Sequence, residues 1–263
     1  MLPNSRAIKE TAQKNLNSNW VLAIAAFLIL CLSVFASLVL IQLFTIIFNS
    51  LLNSAGPFVS SLIMVAPNFL LLMFNLPLIQ GVVRFFWLLQ QNKKSSVVEV
   101  FYYYTSKDNI VKSALLHLCL LSKILLPALL FFAPYFFVIS FGKLEIFESL
   151  KNVLGIPPYT IQFISYLLVT AAVILSVKNA LNYILAPVIY LSQEGKDLDF
   201  TITLSKQIYK QNKQLFLKNL IAFFPLIALS CLGIPAFFTV PFVLMSYATF
   251  ARFSLVNYGI KIN

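Results

Sequence analysis

Charge is what this chain has least of. Only 10% of its 263 residues are Asp, Glu, Lys or Arg, while 60% are hydrophobic. Soluble domains carry about 25% charged residues. So little polar surface cannot coat a water-soluble globule, and the excess apolar surface must meet lipid. Acid is scarcer still, with 8 Asp and Glu in all, every one in a loop or in the N-terminal segment. Ion-coupled transporters often place carboxylates within the membrane, so proton or sodium coupling through carboxylates is disfavoured. Histidine occurs once, as His117 among leucines, with no Cys, Asp or Glu at ligand spacing, so no metal site is expected. Cys31, Cys119 and Cys231 each fall inside an apolar run. An odd count spread so far apart excludes a disulfide framework and reads as three small hydrophobes.

The motifs of common chemistries are absent too. There is no G-x-x-x-x-G-K-[ST] or G-x-G-x-x-G loop to cradle phosphate. There is no Ser/His, paired-Asp or H-E-x-x-H set for hydrolysis inside a membrane. The serines in the apolar runs (Ser33, Ser37, Ser165, Ser176, Ser230) read as helix-packing groups that satisfy backbone carbonyls. No enzyme, cofactor or metal is therefore expected.

What the chain does have is long apolar runs. The expected architecture is all-α: a polytopic transmembrane helical bundle of about six spans forming one membrane domain over 1–263. The spans fall at 20–48, 58–90, 111–141, 159–192, 214–231 and 235–254. The first is far longer than a signal-peptide core of about 7–15 residues and is read as a retained span. Pro67 and Pro77 interrupt the second, and Pro127 and Pro134 bend the third. The fourth is too long for one upright crossing and is read as a tilted span with a protruding end, or as two pieces.

Between the spans lie elements 1–19, 91–110 and 193–213. In the first, Ile8, Ala12 and Leu16 recur at i, i+4, i+8 among Arg6, Lys9 and Lys14, which predicts an amphipathic helix at the membrane surface. In the second, Ser96 and Glu99 have capping-box spacing, with Glu99 reaching back to the cap, before Phe101 and Tyr102 to Tyr104. In the third, Asp197, Asp199 and Thr201 offer helix caps. Phe200, Leu204 and Ile208 form an apolar stripe there, with Lys206, Lys210 and Lys213 on the remaining surface. These helices are expected to lie at the interface against anionic headgroups.

The net charge of +11 does not point to nucleic acid, because the lysines sit in short loops beside apolar runs. With the N-terminus inside, elements 1–19, 91–110 and 193–213 and the tail hold 3, 3, 4 and 1 Lys or Arg, against only Lys143 and Lys151 outside. That bias predicts a multi-pass protein of the cell membrane with both termini cytoplasmic. Three charges near or inside spans are the candidate functional or structural residues: Lys178, Lys123 and Arg84. Lys178 lies well inside an apolar run, Lys123 at the mouth of one, and Arg84 near a span end where it can snorkel.

Three patches resemble a known family. They are Arg6-Ala-Ile-Lys9 with Ala12, Leu16 and Asn19-Trp20; Leu76 to Gly81 with Arg84-Phe-Phe and Ser96 to Phe101; and Lys178 through Ala186-Pro187, Thr203 to Phe216, Gly233-Ile-Pro235 and Pro241-Phe242. Together they are similar to the YciC-like bacterial integral membrane proteins, a domain of unknown function. The family has Gly-Pro where this chain has Leu76-Pro77, and a Pro-Gly turn where this chain has Gly142 to Pro158. The resemblance implies a membrane architecture and no reaction.

The functional expectation is a non-enzymatic accessory or scaffold protein. It would interact with lipid, with anionic headgroups at the cytoplasmic face, or with a membrane-protein partner. The alternative is a transporter or permease-like protein for an anionic or amphiphilic solute, its path built from Lys178, Lys123 and the proline-broken spans.

Overall fold

The structure is a computed structural model that describes residues 5–51, 56–93, 95–141, 158–193 and 197–260. Asn53, Lys94, the loop lysines Lys143 and Lys151, Lys196 and Lys261 lie outside the described residues. Among the described residues there is no strand. The described residues form eight α-helices: α1 (Ser5–Leu16), α2 (Trp20–Leu51), α3 (Gly56–Gln90), α4 (Lys107–Phe141), α5 (Pro158–Leu181), α6 (Ala186–Ser192), α7 (Leu198–Ser230) and α8 (Ala236–Asn257). A 3-10 helix, Val97–Tyr104, precedes α4. Among the described residues, six stretches are long and apolar enough to cross a bilayer. The all-α polytopic class read from composition is the one observed.

The chain divides into two compact units, residues 1–117 with 185–263, and residues 118–184. In the first, α1 packs on α8 and α7, while α2, α3 and α8 pack on one another. Ala12, Leu16, Ala23, Ala26, Leu78, Val82, Phe85, Phe86, Val100, Met245 and Ala248 share one core. The alanines let helix backbones approach closely, as packing inside lipid requires. The second unit holds the later part of α4 and all of α5. Its apolar side chains are largely exposed, including Leu126, Leu130, Phe163 and Tyr166, as expected of surface facing acyl chains.

Several expectations are corrected. The stripe Ile8, Ala12, Leu16 does form, but it is wholly buried in protein. Lipid is therefore not what covers that face of α1. Likewise Leu204 and Ile208 are buried, and only Phe200 of that stripe is exposed. The apolar face of α7 instead packs on α6 and α8.

Other boundaries can be compared directly. The division read between 193–213 and 214–231 falls at a kink in α7, where the backbone leaves helical geometry at Asn212 (φ −110°, ψ 16°) and two helical pieces meet. At the kink the Asn212 Nδ2 donates to the Ile208 carbonyl at 3.0 Å. The run 159–192 is two helices, α5 and α6, parted by a turn at Asn182 to Leu185. Asn182 donates to the Lys178 carbonyl at the end of α5, and Pro187 cannot continue a helix from behind. The third span starts at Lys107, with Ser106 Oγ accepting from the Asn109 N–H, and runs unbroken past Pro127 and Pro134. Pro67 and Pro77 also leave α3 continuous.

Helix ends follow ordinary chemistry. Asn92 takes a left-handed conformation (φ 57°) after α3, with Asn92 N–H on the Leu89 carbonyl and Lys93 N–H on Leu88. Gly259 (φ 86°) closes α8 the same way. Asp197 caps α7 by accepting from the Leu198 N–H at 2.7 Å.

Candidate functional site

The 3-10 helix is clamped along one face of α3, and three contacts a few turns apart hold it. In the middle is Gly81, where an added Cβ would sit 1.9 Å from the Val100 carbonyl oxygen. Only glycine permits so close an approach. Toward the end of α3, Arg84 Nε donates to Glu99 Oε2 at 3.0 Å. Its guanidinium lies 3.6 Å from the centre of the Tyr102 ring. That stack combines charge with a planar cation on an aromatic face. Toward the start, the Tyr104 hydroxyl donates to the Phe74 carbonyl, and burial raises its pKa to about 12.

Arg84 was expected to snorkel to the interface and is instead held by the 3-10 helix. Glu99 was expected to reach back to the Ser96 cap. It pairs instead with Arg84, a bond in which both partners carry charge. Ser96 keeps its part, accepting from the Val98 N–H.

Near prolines inside the spans, neighbouring elements donate to helix carbonyls, and at Pro127 the acceptor is the carbonyl that the missing N–H would have met. Phe74, three residues before Pro77, receives Tyr104. Ala222, three residues before Pro225, receives the Lys9 ammonium at 2.9 Å, which also lies over the Phe223 ring. Lys123, four residues before Pro127, receives Asn179 Nδ2 at 2.9 Å. Each bond ties a proline-bearing helix to another element, and the bond to Lys123 re-satisfies the carbonyl freed by Pro127, as proline in lipid requires. Within the second unit, the last of these brings together two sequence candidates. Asn179, next to Lys178, bonds the main chain of Lys123. The Lys178 side chain is exposed and that of Lys123 half-buried. Arg84 belongs to the first unit.

Ser33 and Ser37, read from the sequence as helix-packing groups, form a clasp between α2 and α3 with Asn75, which was not singled out. Ser33 Oγ donates to Asn75 Oδ1 at 2.8 Å, and Asn75 Nδ2 donates to Ser37 Oγ at 2.8 Å. The signal was present as a lone Asn facing two serines one turn apart, but pairing them needed the helix register. Beside the clasp, an apolar groove of about 350 Å³ runs between Ile29, Leu32, Phe74, Leu78, Phe101 and Tyr104. At the α8 end, Arg252 Nη1 donates to the Gln90 carbonyl at 3.2 Å and to its Oε1 at 3.3 Å, closing the C-terminus of α3 with a cation.

A different concavity opens at the α7 bend. It measures about 530 Å³ and is lined by Lys210, Lys213 and Lys218 with Gln211, Asn212, Gln214 and Leu215. Among the described residues no cluster of three or more His, Cys, Asp or Glu is placed to hold a metal. The three cysteines are free. Compared with known proteins, the chain matches no family model, no curated protein and no solved structure.

Proposed function

We propose that this chain is a non-enzymatic, multi-pass protein of the cell membrane, an accessory or scaffold that engages anionic lipid or a membrane-protein partner at its cytoplasmic side. One observation supports this reading best. Several polar side chains within or beside the spans are bonded to neighbouring elements, as in Asn75 with Ser33 and Ser37, Arg84 with Glu99, and Asn179 with Lys123. They stiffen a framework. The charge bias of the loops supports cytoplasmic termini and gives the same side an attraction for anionic headgroups. The YciC-like resemblance stands beside this as a proposal of kinship that brings an architecture and no reaction.

Gentle extraction followed by mass spectrometry of the co-purifying species tests the reading. Anionic lipid enriched over the bulk membrane, or a protein in fixed stoichiometry, is the expected result. Neither being retained overturns it.

A second reading, a permease-like protein for an anionic or amphiphilic solute, draws on the Asn179 bond that sets the lysine-bearing turns of α4 and α5 side by side. Under it, Lys178→Ala leaves folding intact and abolishes flux in proteoliposomes. Under the first reading there is no flux to abolish.

A further inference from the structure

We propose that the concave side of the α7 bend binds the phosphate of an anionic phospholipid, with Lys210, Lys213 and Lys218 as its ligands. This deepens the lipid-engaging reading and rests on it.

The sequence sets up the site by changing character within one helix. Up to Lys213, α7 is amphipathic and lysine-bearing. After Lys218 it carries no charge through Ser230. The change from one to the other is where a helix entering a bilayer passes headgroup depth. On a straight helix, Lys210 and Lys213 neighbour each other and Lys218 sits further round. The break at Asn212 turns all three toward a single cavity of about 530 Å³.

No carboxylate lines that cavity. Among the described residues none of the three lysines has an ion-pair partner, and the ion pairs seen are Arg6–Glu10 and Arg84–Glu99. Three lysines line one concave surface with no carboxylate among them, and such a surface attracts an anion. Lysine ammonium and carboxamide N–H groups, here from Gln211 and Gln214, are suitable donors to phosphate oxygens.

The surface next to the cavity selects a lipid as the source of that phosphate. From Gln214 and Lys218 the same helical stripe continues to Ile221 and Phe224, which are 72% and 68% exposed. A headgroup seated among the lysines would run its acyl chains down that apolar stripe.

The test uses the full-length protein in detergent, titrated with phosphatidylglycerol or phosphatidylcholine and read by native mass spectrometry. Thermal unfolding is measured alongside. The wild type should retain phosphatidylglycerol over phosphatidylcholine. Lys210→Gln/Lys213→Gln/Lys218→Gln should weaken phosphatidylglycerol retention at least about tenfold, since each lysine near an anionic surface contributes measurably. Lys107→Gln/Lys112→Gln, which removes two lysines from α4, should not. Gln214→Glu puts a carboxylate in the cavity while keeping every lysine. It should weaken binding likewise, and it keeps the test open should the triple variant fail to fold.

Equal retention by wild type and both cavity variants overturns the site but not the lipid reading. No preference for phosphatidylglycerol in the wild type overturns both. Displacement of the lipid by millimolar inorganic phosphate overturns the lipid as the source of the phosphate.

Discussion

Gly81 of α3 and Val100 of the 3-10 helix are in backbone contact. A methyl group on Gly81 would lie 1.9 Å from the Val100 carbonyl oxygen and 2.7 Å from its carbon. Val100 is itself fully buried in the core formed by α2, α3 and α8. Gly81→Ala therefore sets two effects against each other. Alanine favours a helix interior over glycine by about 1 kcal/mol. The clash is with backbone, which cannot rotate away, and overpacking of this kind costs about 1–3 kcal/mol or more. Sterics win. The variant should unfold at lower temperature and be cut by protease between Gln91 and Ser106, where the wild type resists. An unchanged cleavage pattern would refute the docking.

Arg84 and Glu99 should be coupled, and Arg84 and Lys should not be interchangeable. The pair's side chains are 18% and 32% exposed, so screening is partial. A double-mutant cycle of Arg84→Gln with Glu99→Gln should give a coupling of about 1 kcal/mol, near the upper end for pairs reached by water. Arg84→Lys keeps the charge but loses the planar stack on Tyr102, and should cost a further ~0.5–1 kcal/mol. If Arg84→Lys matches wild type in thermal unfolding, the stack contributes nothing.

Tyr104 should titrate late. Burial raises its pKa from 10.0 to about 12. Because the folded value lies above the unfolded one, the stabilisation from the neutral phenol is complete below pH 10 and is lost as pH rises toward 12. Ultraviolet titration of the wild type minus Tyr104→Phe should show one phenol ionising near the upper value. A difference spectrum that completes near pH 10 would place Tyr104 in water.

The bond from Asn179 to Lys123 should matter only because Pro127 is a proline. Asn179→Ala leaves the Lys123 carbonyl without a donor and should cost about 1–2 kcal/mol. Pro127→Ala restores the N–H four residues on, so Asn179→Ala in that background should cost much less. Equal costs in the two backgrounds would mean that Asn179 packs by shape and not by bonding.

Much of the architecture was legible in the chain because hydropathy and helical period are local properties. Runs such as 20–48 and 235–254 can be read residue by residue, and α2 and α8 begin and end within a few residues of them. The stripe Ile8, Ala12, Leu16 was legible for the same reason. Its partner was not: periodicity identifies an apolar face but not whether lipid or protein covers it. The kink at Asn212 and the turn after Leu181 were harder still. Each coincides with an Asn bonded to the carbonyl four residues back, a contact that also occurs inside unbroken α3, so chain order alone does not mark the break.

For the candidate residues, sequence marked Arg84, Lys123 and Lys178 as charges out of place in apolar surroundings, which is a one-dimensional fact. It could not supply what each one meets. Glu99 lies 15 residues after Arg84, Asn179 lies 56 after Lys123, and Ala222 lies 213 after Lys9. The sequence by itself determined that this is an all-α chain with six apolar stretches and a strong positive excess, because composition and period need no neighbours. Tertiary structure decided that the carbonyl freed by Pro127 is answered by Asn179 and that three lysines share one cavity. Helix packing and a single backbone bend, not chain order, bring those groups within reach of one another.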